Sequence, residues 1–168
     1  MSDWRRALLG LGSNLGDRLA TLRAGVAQLT AHSDVRLVAA SPVYSSPPMG
    51  NAALHEFLNA AVLIETRLSA RELLELALAV ETNLGRVRTV RWGPRTLDID
   101  LLWLADVTVD EPGLTVPHPG LAEREFVLRP AADLLPELVL PDGRTVARAL
   151  SEMESHACIP LPGSDLGG

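Results

Sequence analysis

A chain of 168 residues, 47% hydrophobic and 21% charged, is long enough to bury a core without disulfides or structural metals. Its net charge of -6 excludes a surface that holds nucleic acid or anionic lipid, and no stretch reaches the roughly 18 consecutive apolar residues of a membrane span. All 15 basic residues are arginine, which excludes a P-loop, Schiff-base or protein-kinase lysine and leaves any phosphate chemistry to arginine, backbone amides and metal.

The first residues, Met-Ser-Asp-Trp-Arg-Arg, carry no secretory signal pattern, and the single Cys158 forms no intramolecular disulfide, so a cytoplasmic location is expected. A strand is predicted over Ala7 to Gly12. Leu19, Leu22, Val26 and Leu29 then recur at helical spacing, with Asp17 placed to cap the helix. A second strand covers Val35 to Tyr44 and is closed by a loop from Ser45 to Gly50. A third fits Leu58 to Arg67, where Ala60, Val62 and Ile64 alternate with Ala61, Leu63 and Glu65. Ser69 and Glu72 form a capping box before the stripe Leu73, Leu76, Ala77 and Val80, and Gly85 is a stop. Ile99 to Leu104 reads as a buried strand.

The order β-α-β-β-α-β predicts an α+β, ferredoxin-like fold: an antiparallel sheet with helices on one face. From about Val107, short strands and two small helices are expected as a C-terminal extension. The Pro- and Gly-rich tail, 158–168, is expected to be flexible and unpacked, and residues 1–168 are read as one domain.

The densest chemical signal runs from Gly85 to Asp100. Residues 86–95 hold four arginines and no acid, so the rest of the chain sums to -10. A concentrated positive loop on an acidic protein is a local anion receptor, and arginine forks match phosphate oxygens. Asp98 and Asp100 follow at once. Two apart on a strand, their side chains leave one face about 7 Å apart, a spacing that lets two carboxylates share or bracket hard cations. Together these residues read as a magnesium-triphosphate site, with a salt-bridge cluster as the purely structural alternative.

Weaker signals accompany it. Gly10 to Gly16 resembles a phosphate cradle at a strand-to-helix turn, but it matches neither the Walker pattern nor G-x-G-x-x-G. His118, between Pro117 and Pro119, must sit in a rigid loop suited to a phosphate contact. His32, His55 and His156 have no zinc-site spacing, and Cys158, in the tail, is not read as a nucleophile. Trp92 sits inside the arginine loop, while Phe57 beside Asn59 and Phe126 near Arg124 are candidates to cover a flat heterocycle or simply to fill core.

In this order, Leu11-Gly12-Ser13-Asn14-Leu15-Gly16-Asp17, Ser46-Pro47-Pro48-Met49-Gly50, Phe57-Leu58-Asn59-Ala60-Ala61, Gly85-Arg86-Val87-Arg88, Arg91 to Asp100 and Val116-Pro117-His118-Pro119 resemble the 6-hydroxymethyl-7,8-dihydropterin pyrophosphokinases of folate biosynthesis. The resemblance spans about residues 5–150. It implies transfer of the terminal diphosphate of ATP to the pterin hydroxymethyl group, with AMP as the leaving group. It implies two magnesium ions on Asp98 and Asp100, and arginines 86 and 95 (Arg86, Arg95) clamping the triphosphate as catalytic residues. Arg88, Arg91 and Trp92 resemble a loop that closes over both substrates, while Glu81, Leu101, Thr115, His118 and Arg124 fall at nucleotide-contacting positions. For the pterin, the resemblance implies ring contacts from Phe57, Phe126 and Trp92, and edge recognition by Asn59 and the segment holding Ser46, Pro47 and Met49.

Leu78, Gly113 and Pro119 depart from the family pattern where glutamine, arginine and tyrosine occur, Ser46 replaces a common threonine, and the arginine loop is one residue shorter before Trp92. Two other readings remain at this stage. A two-metal nucleotidyl transferase would release pyrophosphate, and a non-catalytic ATP-sensing module would bind without turnover. The partners expected are small molecules only, with no nucleic acid or membrane, for a monomer whose association with a neighbouring folate enzyme stays open.

Overall fold

The computed structural model describes residues 3–13, 17–46, 57–84, 97–153, 157–161 and 166. In chain order the elements are β1 (Arg5–Ser13), α1 (Arg18–Thr30), β2 (Val35–Ala40), β3 (Tyr44–Ser46), β4 (Phe57–Thr66), α2 (Ala70–Asn83), β5 (Asp98–Leu104), β6 (Val109–Glu111), β7 (Leu114–Val116), a 3-10 turn (Pro119–Ala122), α3 (Glu125–Leu134), α4 (Val146–Ser151) and β8 (Ile159–Pro160). The main sheet runs β5-β1-β4-β3-β8, with β2 also on β4, and every pairing in it is antiparallel. This is the α+β arrangement expected from the order of strands and helices.

Period-two alternation on β1 sorts the core into two layers. Ala7, Leu9 and Leu11 point into a cluster with Leu22, Val26 and Leu29 of α1 and Leu73, Ala77 and Val80 of α2. Leu8 points the other way, into a cluster with Ala61, Leu102, Leu128 and Ala131 of α3, and Val146, Ala149 and Leu150 of α4. The first two helices do share one face, as expected, but the C-terminal pair covers the other, so the sheet is sandwiched rather than one-sided. Both helix starts hold: the Asp17 carboxylate accepts from the Ala20 amide, and Ser69 and Glu72 complete a reciprocal capping box. The stop expected at Gly85 lies outside the described residues, and α2 ends at Asn83.

The strand expected over Val35 to Tyr44 is two strands laid end to end along β4. A bulge between Leu37 and Ala39 turns Val38 outward, and Ser41 to Val43 interrupt the ladder around Pro42, which has no amide to donate. Ser41 bridges the gap: its amide donates to the Ala61 carbonyl at 2.9 Å, and its hydroxyl accepts from the Ala61 amide at 2.9 Å. Pairing then resumes at Tyr44, so Ser45 and Ser46, expected in a loop, are strand residues.

The C-terminal tail also departs from expectation at its described residues. Cys158 and Leu166 are buried, Ile159–Pro160 add a strand outside β3, and the Leu161 amide donates to the Val43 carbonyl at 2.8 Å. High proline and glycine content signals poor helix and strand propensity, but β3 offers an unpaired backbone edge that a short extended segment can cover.

Tyr44 joins β3 to α3 through its hydroxyl, which donates to the Asp133 carboxylate. Burial first, and then that carboxylate, push the phenol up to about 12 from its ordinary 10.0. A folded value above the unfolded one means the stabilisation is intact below about pH 10 and is lost as pH rises toward 12. Tyr44→Phe is therefore expected to flatten the fall in stability between those pH values. Paired urea titrations of both proteins at pH 9 and 11 measure this, and equal pH-dependent losses would reject it.

Candidate active site

Cross-strand partners share a face of the sheet, so the register of β1 builds the site. Gly10 lies between Ala61 and Asp100, and Gly12 between Asn59 and Asp98, all on the face that α3 covers further down. The helix and its neighbours close over Leu8, Ala61 and Leu102, while Asp98 is half-buried and Asp100 exposed at the uncovered end. The glycines are not in a phosphate-cradling turn. They sit within the strand, where having no side chain leaves a flat floor between the carboxylates and Asn59. A Cβ on Gly12 would stand 3.0 Å from Asn59 Oδ1, and one on Gly10 would stand 3.2 Å from Leu102 Cδ1.

Along the adjoining strands, Asn59 and Ser46 are buried and bonded, Asn59 Nδ2 donating to Ser46 Oγ at 2.9 Å. Phe57 faces Ser46 across β3 and β4 and is half-buried. These residues form a polar pocket edge beside an apolar ring, suited to a flat, hydrogen-bonding heterocycle.

On the other flank, the His118 amide donates to the Leu102 carbonyl at 2.9 Å, tying the 3-10 turn to β5. His118 Nδ1 accepts from the Gly120 amide at 2.9 Å, which makes Nε2 the ring nitrogen that can donate to an anion. A Cβ on Gly120 would sit 3.1 Å from His118 Nδ1 and 3.5 Å from Arg124 Cδ, so glycine there lets the two cross closely. The Arg124 guanidinium lies 5.9 Å from the Phe126 ring centroid at the start of α3. Thr115 is exposed on β7.

Two of the nucleotide-contact candidates are tied into the fold itself. Leu101 is in the core beneath α2, so a nucleotide contact there can run only through its backbone. Glu81 is buried, and its Oε2 accepts from the Ile99 amide at 2.7 Å. β5 is an edge strand, and Glu81 satisfies an amide of that edge between the two aspartates. Pro47, Met49, Arg86, Arg88, Arg91, Trp92 and Arg95 lie outside the described residues. The Cys158 thiol is pushed up to about 11, by burial first and the Glu125 carboxylate next, so it stays protonated and unreactive at neutral pH.

The family model for 7,8-dihydro-6-hydroxymethylpterin-pyrophosphokinase (HPPK) matches residues 8–136, from inside β1 through α3. The chain belongs to the HPPK family. It is 47% identical over 149 residues to the 2-amino-4-hydroxy-6-hydroxymethyldihydropteridine pyrophosphokinase of Methylorubrum extorquens, covering 89% of this chain and 94% of that protein. The Pseudomonas aeruginosa protein of the same name is 41% identical over 160 residues, covering 95% and 99%. Among solved structures, an HPPK-DHPS in complex with substrates superposes with a TM-score of 0.70 at 12% identity over 88% of this chain, and the wild-type Plasmodium falciparum HPPK-DHPS with pteroate with 0.70 at 14% over 89%. At those identities the likeness is one of fold. The chain spans only 43% and 42% of those two longer chains.

Within this HPPK fold the two carboxylates are a fitting donor set for a hard divalent cation. Among the described residues no group of three or more His, Cys, Asp or Glu side chains forms a closed cage. Two carboxylates on alternate residues leave the other positions to phosphate oxygens and water, the usual arrangement for magnesium in phosphoryl transfer. The sequence pattern marked these aspartates but not the floor. Glycines two apart inside a strand, paired with the aspartate strand, were the available signal. Glu81→Ala is expected to lower unfolding stability by about 1–3 kcal/mol by orphaning the Ile99 amide, whereas Glu81→Gln keeps an acceptor and should cost less than half as much. Denaturant midpoints decide it, and equal losses would assign Glu81 an electrostatic role instead.

Proposed function

We propose that this chain transfers the β,γ-diphosphate of ATP to the hydroxymethyl group of 6-hydroxymethyl-7,8-dihydropterin, giving AMP and the pterin diphosphate in folate biosynthesis. The observation that carries the reading is the Asp98–Asp100 pair on a glycine floor whose other side is the Asn59–Ser46 pair. One sheet face thus offers a place for the charged end of one substrate next to a place for the flat ring of the other. The new bond joins the hydroxymethyl oxygen to the β-phosphorus, the bridge between the α- and β-phosphates breaks, and the hydroxyl proton leaves to solvent.

Asp98 and Asp100 would hold magnesium, which when bound acidifies the substrate hydroxyl and offsets charge on the phosphate oxygens. Asn59 and Ser46 read the hydrogen-bonding edge of the pterin, and Phe57 and Phe126 cover its faces. His118 donates from Nε2 to a phosphate oxygen, and Arg124 beside it adds a positive charge. Arg86 and Arg95 clamp the triphosphate as charge shifts toward AMP, while Arg88, Arg91 and Trp92 close over both substrates and exclude water, which competes for ATP. Glu81 fixes the edge strand that presents the aspartates. A cytoplasmic location follows from ATP and a reduced pterin as co-substrates. The long HPPK-DHPS chains carry the same fold beside further sequence, which is consistent with association with another folate enzyme.

The decisive experiment supplies ATP, magnesium and the hydroxymethyldihydropterin and resolves the nucleotides by chromatography. AMP is expected only when pterin is present. Asp98→Ala should lower the rate by at least about 100-fold, the scale of losing a principal electrostatic contributor in the transition state. Pyrophosphate as product would make the protein a nucleotidyl transferase, ADP an ordinary kinase, and binding without turnover a sensing module.

A further inference from the structure

The segment Ala157 to Leu161 lies beyond the region that matches the family model, yet it touches both sides of the pterin pocket described above. At one end the Ala157 amide donates to Glu125 Oε1 at 2.7 Å, and the Cys158 amide to Glu125 Oε2 at 3.4 Å. Glu125 is the first residue of α3 and immediately precedes Phe126. At the other end Ile159 and Pro160 pair with Ser45 and Tyr44, and the Leu161 amide bonds to the Val43 carbonyl. Ser46, bonded to Asn59, is the next residue of that strand.

We propose that this C-terminal segment is a strap that sets the distance between the ring contact on α3 and the polar edge on β3, with Glu125 as its positioning residue. The inference rests on the pterin-binding reading of that pocket.

Three observations support it. Glu125 and Asp133 are eight residues apart on α3 with Arg129 midway, a spacing that puts all three on one helix stripe. That stripe faces β3: Asp133 accepts from Tyr44, and the Arg129 guanidinium lies 5.9 Å from the Tyr44 ring centroid. The strap therefore completes a contact between α3 and β3 at the end nearest Phe126, where Tyr44 and Asp133 hold the far end. A carboxylate that takes two consecutive backbone amides also fixes the strap in register, because sliding it by one residue would break the amide bonds and the β3 pairing together. Glu125 touches no reacting atom, so its effect must appear in binding of the pterin rather than in the chemical step.

The test measures pterin and ATP affinities in the full chain. Glu125→Ala is expected to raise the pterin KM about 5- to 10-fold as both amide bonds to the strap are lost, with kcat and the ATP KM within about twofold of wild type. Glu125→Gln keeps an oxygen for the Ala157 amide and should stay within about threefold of wild type for the pterin. Leu161→Pro removes the amide that bonds Val43 at the other end of the strap and should raise the pterin KM similarly. Since both changes release one element, the double variant should exceed the worse single one by no more than about twofold, where independent effects would multiply.

An unchanged pterin KM in both single variants would overturn the proposal. So would equal losses for ATP and pterin, or a Gln variant as impaired as Ala, which would point to helix-end charge instead. Pterin dissociation constants from its fluorescence test the strap whether or not AMP forms, so a wild-type chain that binds pterin without turnover would count against the transfer reading alone.

Discussion

The register of β1 between β4 and β5 is the constraint on which the rest of this protein depends. A strand presents alternate residues to opposite faces, so the same nine residues supply Ala7, Leu9 and Leu11 to one core and Leu8, Gly10 and Gly12 to the other side. A slip of one position would bury the glycine floor under α1 and α2 and turn the two large side chains of Leu9 and Leu11 into the site. The two hydrophobic clusters prevent that slip. Each buried leucine adds about 1.5–3 kcal/mol, and every one on β1 would be misplaced together. The energy that holds the core is thus the same energy that aligns Gly10 with Asp100 and Gly12 with Asn59 and Asp98.

Next in importance is the outer edge of β5. An edge strand carries backbone groups that need partners, and two of those here are met by groups around the site. The Glu81 carboxylate accepts from the Ile99 amide, and the His118 amide donates to the Leu102 carbonyl. Each bond has two consequences. It satisfies a backbone polar group, and it fixes a strand or loop that carries candidate site residues. In this protein, stability at the edge and geometry at the site are not separate requirements.

The charge distribution has the same economy. An acidic protein repels polyphosphates at long range, so binding must come from a short-range receptor. In the proposed reaction the candidates for it are the four arginines within residues 86–95 and the Asp98–Asp100 pair, with His118 and Arg124 crossing closely at Gly120 on the far flank. In the same proposed reaction, uncharged hydrogen-bonding groups and aromatic rings would serve the ring substrate, where net charge is of little use. The Asn59–Ser46 pair is buried and already bonded, so it presents an ordered edge rather than side chains that must be ordered on binding.

How much of this was legible in the sequence depends on the range of the interaction concerned. Local chemistry was: Asp17 and the Ser69–Glu72 pair announce helix starts because capping is decided within four residues. The alternation of β4 and the Asp98–Asp100 spacing show because strand period acts along the chain itself. The sequence also determined, through its lack of lysine and its ordered motifs, which phosphate chemistry was open to it. Pairing across the sheet was not legible. Pro42 interrupts a continuous strand pattern, yet only the availability of Ser41 to bond Ala61 lets β2 and β3 continue along one neighbour. Glu81 is marked by the resemblance as a nucleotide contact, but its bond to the Ile99 amide shows only once the edge of β5 lies beside it. The C-terminal segment looks unpacked by composition, yet the open edge of β3 and the Glu125 carboxylate give its amides partners. The sequence by itself determined which residues can do chemistry and where helices begin. The tertiary structure decided which of them meet, because those contacts join residues tens of positions apart and depend on backbone edges that composition does not record.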